Sequence, residues 1–213
     1  MSDSFLVATR IPMSREGFER WLDTPVPGLD VIANPEAMFD GWLWHGDRRD
    51  DWSTPELTPR AFLADRVEQA CQGKPAVTVL LHRDGALEAY LFDMGYRRPV
   101  VDAALLMFAG AGAVKSDPAE DTVLFWAETG GNLFDADDDG WLAVLSVGRD
   151  GARFVADRDL TDVVAGLRPA EDAFFDLVAV LAEEEEDWDS DEPYRTGTPR
   201  DPAHVDPAVL ATP

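Results

Sequence analysis

The sequence is poor in the residues that form covalent cross-links and metal sites. It has 213 residues but a single cysteine, Cys71, and three histidines, at positions 45, 82 and 204. One cysteine excludes a disulfide within the chain and a zinc site made of several cysteines. The histidines do not have the spacing of a metal-binding helix, such as H-E-x-x-H. We therefore expect neither a disulfide-stabilised fold nor a cofactor.

Positive charge is also scarce. The chain has 18 basic residues, of which only Lys74 and Lys115 are lysines, against 42 acidic residues, and its formal net charge is −24. Nucleic acids and anionic membranes are bound through clustered Lys and Arg. The composition therefore argues against both kinds of partner. A low lysine content with abundant Asp and Glu also occurs in salt-adapted proteins, which is an alternative explanation of the acidity.

Long apolar runs are missing as well. No stretch approaches the roughly 20 apolar residues that a membrane-spanning helix needs. Residues 1–12 lack a basic region followed by an apolar stretch, so no signal peptide is evident. These features predict a cytoplasmic protein. Hydrophobic residues nevertheless make up 46% of the chain and seven residues are Trp, which is enough apolar material for a packed core.

Short apolar runs predict six β-strands. Asp-Gly dipeptides lie between two pairs of these runs, at Asp84-Gly85 and Asp150-Gly151, and this dipeptide is a strong signal of a β-hairpin. Hairpins favour antiparallel pairing. The predicted strands span residues 5–11, 77–82, 87–92, 122–127, 141–147 and 153–156.

Four helices are predicted around these strands. Ser14 and Thr58 are favourable N-caps, and a proline in the first helical position follows Thr58. Residues 100–113 are rich in Ala and Leu, which predicts a largely buried helix. The last helix is predicted to open at Pro169, because apolar residues with helical spacing follow it.

These elements predict an α+β fold in which an antiparallel sheet built from hairpins carries helices packed on one face. Residues 1–188 are predicted to form a single globular domain. Beyond them, five prolines interrupt a polar stretch that cannot continue a helix. Residues 189–213 are therefore predicted to be an extended, Pro-rich acidic tail, either mobile or lying on the body.

The most motif-like segment contains Asp135, Asp137 and Asp139. With Gly140 it matches the first half of a calcium-binding loop, in which carboxylates occupy positions 1, 3 and 5 and glycine occupies position 6. Ser146 stands where the bidentate Glu would be, and the residues after the loop predict a strand instead of a helix. We interpret the segment as a solvated acidic turn, with a weak calcium site as the alternative.

No catalytic signature is present in the sequence. Residues 110–116 superficially resemble a phosphate-binding loop, but they lack the Gly directly before Lys-Ser and follow a helix-like run. Cys71 lies on the apolar face of a predicted helix, where a thiol packs as a small hydrophobic group. We therefore predict that the protein is not an enzyme, with a carboxylate- or metal-dependent hydrolase as an alternative.

A segment rich in Trp and Asp is the best candidate for a binding surface. Alternation along a strand would place Trp42 and Trp44 on one face. Aromatic residues surrounded by carboxylates offer a desolvated anchor and a charged rim to a basic protein, although packing in the core is the competing interpretation. The residues predicted to contact a partner are Trp44, Asp47, Asp50, Asp51, Trp52, Asp137, Asp138 and Asp139.

The negative charge is unevenly distributed along the chain. Eight acidic residues lie between Glu183 and Glu192, and without them the net charge would still be −16. A run of acids is usually a solvated helix end or tail. The rest of the charge belongs to the predicted body and includes the Asp residues of the two segments described above.

In its acidity, size and α+β character, the chain resembles the small acidic immunity proteins of bacterial polymorphic-toxin systems. The resemblance is compositional and involves no motif, so no functional residue is transferred from it. It implies a protein that binds one cognate toxin and blocks its active site. An acidic protein associates rapidly with a basic toxin or nuclease through electrostatic steering. We therefore predict a non-enzymatic protein-binding module, with a nucleic-acid mimic that occupies DNA-binding proteins as an alternative.

Overall fold

A computed structural model describes residues 3–39, 52–53, 56–74, 76–94, 98–129, 141–156, 158–186 and 198–211. Six of its elements are strands of one antiparallel sheet with the order β2-β3-β1-β4-β5-β6. The strands are β1 (Asp3–Pro12), β2 (Ala76–Arg83), β3 (Ala86–Met94), β4 (Asp121–Thr129), β5 (Trp141–Gly148) and β6 (Gly151–Val155).

The described residues also form five α-helices and several short 3-10 turns. The helices are α1 (Arg15–Asp23), α2 (Pro59–Cys71), α3 (Arg98–Ala111), α4 (Thr161–Glu186) and α5 (Pro207–Leu210). The 3-10 turns are Leu29–Val31, Pro35–Phe39, Gly112–Val114 and Thr198–Arg200.

Local sequence signals set the boundaries of α1 and α2 as predicted. The Ser14 hydroxyl accepts a hydrogen bond from the Gly17 amide, and the Thr58 hydroxyl accepts one from the Ala61 amide. Each bond satisfies one of the amides that a helix start leaves without a partner inside the helix. Pro59 occupies the first turn of α2, where its missing N–H has no cost.

The two Asp-Gly hairpins are confirmed. Asp84 and Gly85 connect β2 to β3 with φ angles of 50° and 69°. Positive φ at both central residues is the conformation that fits the right-handed twist of the flanking strands, and Asp-Gly tolerates it well. Gly151 opens β6 with a φ of 141°.

Helix α4 is longer than its sequence pattern predicts. It begins at Thr161, where the Asp159 carboxylate accepts a hydrogen bond from the Thr161 amide at 2.9 Å. Pro169, predicted to open the helix, lies inside it. The Asp159 bond satisfies an early amide, and packing of Leu167 and Ala170 on the sheet favours helix on both sides of the proline. Burial therefore outweighs the backbone hydrogen bond that Pro169 cannot make.

Helices cover both faces of the sheet, not one. On the first face, α1, α2 and α3 pack against alternate residues of the strands, including Phe5, Phe125 and Leu145. On the second face, α4 packs against the intervening residues, including Leu6 and Tyr90. The predicted α+β fold, with an antiparallel sheet that carries packed helices, is confirmed, and the described part of the chain is a three-layer arrangement.

Both edges of the sheet are covered by other segments of the chain. At the β6 edge, Ile32 forms a parallel bridge with Ala152, and the Asn34 side chain hydrogen-bonds both backbone groups of Phe154. At the β2 edge, Val205 forms a parallel bridge with Leu80. Covering an edge removes the unpaired backbone groups that promote aggregation.

The described part of the C-terminal segment lies against the body. Residues 198–211 hold one 3-10 turn and the short helix α5, and Val205 and Val209 are buried in the core of the first face. Of the two arrangements considered for this segment, these residues adopt the one that lies on the body. Within the described residues, none of the helices combines the length and apolarity needed to cross a membrane.

Candidate functional site

The strand register defines two ends of the sheet, which we name after one residue at each. At the Thr129 end, β1 and β5 begin and β3 and β4 finish, since Asp3 pairs with Thr129, Ser4 with Met94 and Ala127 with Trp141. The opposite, Gly148 end contains the two hairpins. The described elements next to each acidic segment are located relative to these ends.

One of the eight predicted partner-binding residues, Trp52, belongs to the described part of the chain. The other seven and the calcium candidate Asp135 lie outside the described residues, and their role stays a prediction. These residues are Trp44, Asp47, Asp50, Asp51, Asp137, Asp138 and Asp139.

Trp52 is buried, with 8% of its surface exposed. Its ring centroid lies 6.4 Å from that of Phe154, and the Arg98 guanidinium lies 5.6 Å from the ring centroid. These contacts favour the packing interpretation for Trp52. They also attach the chain directly after Asp51 to the first turn of α3 and to β6.

The Asp102 side chain holds the chain after Asp51 in place through a hydrogen bond to the Ser53 backbone amide. Its carboxylate is fully buried, accepts a hydrogen bond from the Arg98 Nε at 2.7 Å and accepts another from the Ser53 amide at 3.0 Å. A buried carboxylate requires such partners because desolvation of its charge is costly. The sequence analysis did not single out Asp102 and Arg98. A single acidic residue within the apolar run of α3 is the signal that identifies this anchor.

The described residues that precede the Trp- and Asp-rich segment run along β6. The parallel bridge of Ile32 with Ala152 directs the chain along β6 toward the Thr129 end, and Pro35–Phe39 follows. Met38 is buried in the core of the first face. The chain therefore enters segment 40–51 in the direction of the Thr129 end, and it resumes at Trp52, which packs on Phe154, a residue paired with Leu145 in the middle of β5.

The four-Asp segment is connected to this end as well. Thr129 is the last residue of β4 and Trp141 is the first of β5, and these strands pair directly. The acidic residues at 135 and 137–139 fall between them in the sequence. The chain therefore leaves and re-enters the described fold at the Thr129 end around this segment.

The direction of α4 brings a third acidic segment toward this end. Gly166 lies beside Arg10, and Phe174 packs on Tyr90 and Phe92, which are farther along β3 toward the Thr129 end. From Gly166 to Glu186 an α-helix rises about 30 Å. The helix therefore finishes at or beyond the Thr129 end, where the acidic run 183–192 begins.

Carboxylates at the Gly148 end are paired with bases. The buried Glu88 carboxylate accepts hydrogen bonds from Arg10 and from Arg83 Nη2, the latter at 2.6 Å. Asp121 lies 2.5 Å from the buried Lys115 ammonium, and burial raises the pKa of Asp121 although Lys115 opposes the shift. These two carboxylates are therefore compensated by bases within the fold.

The remaining candidates from the sequence have structural roles in the described residues. Cys71 is buried beside the core of the first face, and the His82 Nε2 lies 2.9 Å from the Met13 carbonyl oxygen. Residues 110–116 form the end of α3 and a 3-10 turn, as predicted for a helix terminus. Within the described ranges, no three His, Cys, Asp or Glu side chains are grouped to hold a metal ion.

Comparisons with protein-family models, with characterised proteins and with solved structures found no match to this chain.

Proposed function

We propose that this chain is a non-enzymatic module of an immunity or antitoxin type, which neutralises a basic toxin or nuclease by covering it with the Thr129 end of the sheet. The observation that carries the proposal is topological. The acid-rich segments 130–140 and 183–192 adjoin elements that finish at this end, and the chain enters a third, 40–51, in its direction.

The physical basis of the proposal is electrostatic steering by the negative charge of the acid-rich segments. A negative end on a protein of net charge −24 attracts a basic surface over a distance set by the ionic strength. Such steering raises the association rate, and it weakens steeply with added salt. The paired carboxylates at the Gly148 end do not contribute a comparable field.

The placement of the acids also favours one partner over nucleic-acid mimicry. A mimic of DNA needs carboxylates spaced along an extended face, as phosphates are spaced along a duplex. The described elements that adjoin the acidic segments instead run toward one end of the sheet. A local patch of this kind fits a single cognate protein.

The test is a calorimetric titration of the purified chain with the protein encoded by the adjacent gene, at 50 mM and 300 mM NaCl. One variant carries Asp47→Asn, Asp50→Asn and Asp51→Asn, and a second carries Asp137→Asn, Asp138→Asn and Asp139→Asn. The matched control neutralises three exposed acids on α4, Asp162, Asp172 and Asp176, and so changes the net charge equally.

Each binding variant is expected to lower the affinity at least about tenfold at 50 mM NaCl, and the control about threefold or less, because charges at the rim of an interface act locally. Equal losses in all three variants would mean that net charge alone drives binding. Absence of binding at 50 mM NaCl would refute the proposed partner. Binding to several unrelated DNA-binding proteins would support mimicry instead.

A further inference from the structure

The edge strand β2 holds a bound segment of the chain's own C-terminus. The Leu80 amide donates a hydrogen bond to the His204 carbonyl at 2.8 Å, and the Asp206 amide donates one to the Leu80 carbonyl at 2.7 Å. This is the hydrogen-bond pattern of a parallel strand pair. It is also the way in which an extended peptide is added to the edge of a sheet.

An ion pair between Arg15 and Asp206, called the clasp below, also holds the C-terminal segment on the β2 edge. The Arg15 guanidinium donates two hydrogen bonds to the Asp206 carboxylate, from Nη1 at 2.5 Å and from Nη2 at 2.9 Å. The same carboxylate accepts a hydrogen bond from the Ala208 amide, which starts α5. A bidentate pair fixes orientation as well as charge, so Arg15 selects an acidic residue at this position of the segment.

The apolar part of the docking is small. Val205 and Val209 are each at most 1% exposed, Pro199 is also buried, and Ala208 and Leu210 are partly buried against the core. These side chains, the clasp and the ion pair of Arg200 with Glu68 hold fourteen ordered residues, and ordering a backbone costs free energy at every residue. Segments with few buried apolar contacts open at a lower free energy than the whole fold.

We propose that the β2 edge and Arg15 form a docking site for an extended segment with a β-branched residue followed by aspartate, which residues 204–206 fill in this chain. The segment leaves the site without unfolding of the sheet. A second segment of the same chemistry then binds in its place. The site is separate from the Thr129 end and does not depend on the function proposed above.

Amide hydrogen exchange of the full-length chain measures how often this site is empty, because the bound C-terminal segment protects the Leu80 amide. Within the pairing of β2 with β3, the Leu80 backbone groups point to the C-terminal segment, whereas the Val79 and Leu81 amides point to β3. The Leu80 amide is therefore expected to exchange faster than those of Val79 and Leu81. Equal rates in the wild-type chain would mean that the segment opens only with the whole fold, and would overturn the proposal.

Asp206→Asn weakens the bound segment and leaves Leu80 and Arg15 unchanged. Loss of the charge-assisted clasp is expected to speed Leu80 exchange about tenfold or more, with Val79 and Leu81 unaffected. The matched control is Asp172→Asn, an exposed acid on α4 away from the edge, which is expected to change none of the three rates. If Asp206→Asn accelerates all three amides together, the segment is part of the global fold and the proposal is wrong.

A synthetic peptide of residues 198–211, added at millimolar concentration to the Asp206→Asn chain, tests binding in trans. It is expected to restore protection of Leu80, whereas the same peptide carrying Asp206→Asn is not. Protection by both peptides would show that the edge does not select aspartate, and protection by neither would show that no docking site exists. Arg15→Lys provides a milder second variant, because it keeps the charge and loses the bidentate geometry.

Discussion

Replacement of Asp102 by alanine is predicted to be among the most destabilising single changes in the described fold. The carboxylate has no exposed surface and accepts hydrogen bonds from Arg98 and from the Ser53 amide. Breaking a buried ion pair by removing one partner costs about 3–5 kcal/mol, since the other charge stays in a partly desolvated place. For a chain of this length, such a loss lowers the Tm by roughly 6–20 °C.

Urea unfolding followed by far-UV circular dichroism at pH 7 measures this loss. Asp102→Asn keeps an oxygen acceptor and loses the charge, so an intermediate loss of about 1–3 kcal/mol is expected. Asp172→Ala, at an exposed position of α4, is the control and is expected to stay within about 0.5 kcal/mol of the wild type. If Asp102→Ala also stays within about 1 kcal/mol, the anchoring role assigned to Asp102 is refuted.

Three other predictions concern single contacts. Burial raises the pKa of Asp206, but the Arg15 guanidinium and the backbone amides of Ala208 and His82 together outweigh burial, and the net pKa lies below its ordinary value of 3.8. The clasp therefore stabilises the fold fully above pH 3.8. In urea unfolding, the stability difference between wild type and Asp206→Asn should shrink as the pH falls through the lowered pKa of Asp206. Gly112→Ala is expected to cost about 1–3 kcal/mol or more, because a Cβ there would lie 2.1 Å from the Gly148 carbonyl oxygen; an unchanged urea midpoint would contradict this close approach. Tyr90→Phe is expected to be nearly neutral, within about 1 kcal/mol, because the buried Tyr90 hydroxyl has no hydrogen-bond partner among the residues that the structure describes, and a larger loss in urea would show that it has one.

Much of the fold follows from local signals in the sequence. The caps at Ser14 and Thr58 and the turn at Asp84-Gly85 each satisfy or shape the backbone through residues close in sequence. Short apolar runs, two pairs of them joined by Asp-Gly turns, identified the strands. These signals were sufficient for the elements and for antiparallel pairing within the hairpins.

Other features depend on contacts between distant residues and were not predicted. The start of α4 is decided by packing on the second face of the sheet, and the sequence pattern around Pro169 does not show that contact. The docking of Val205 on Leu80 joins positions far apart in the chain and involves backbone groups that every residue has. The Asp102 anchor likewise becomes evident only when α3 and Ser53 are brought together.

For the candidate site, the acidic residues are identified from the sequence alone. The topology then shows toward which end of the sheet the flanking elements run. Composition alone does not show which acids are compensated, because pairs such as Glu88 with Arg83 form between side chains brought together by the β2–β3 hairpin. Strand register supplies part of the missing information, since it connects segment 130–140 to the Thr129 end.

The most direct test of the central claim is the amide chemical-shift footprint of a bound basic partner on the isotope-labelled chain. The protein encoded by the adjacent gene is the partner to titrate. The amides of Ser53, Thr129 and Trp141 are expected to shift or broaden on binding, while those of Gly85 and Gly148 stay unchanged. A footprint confined to the Gly148 end, or to the outer surface of α4, would contradict the account.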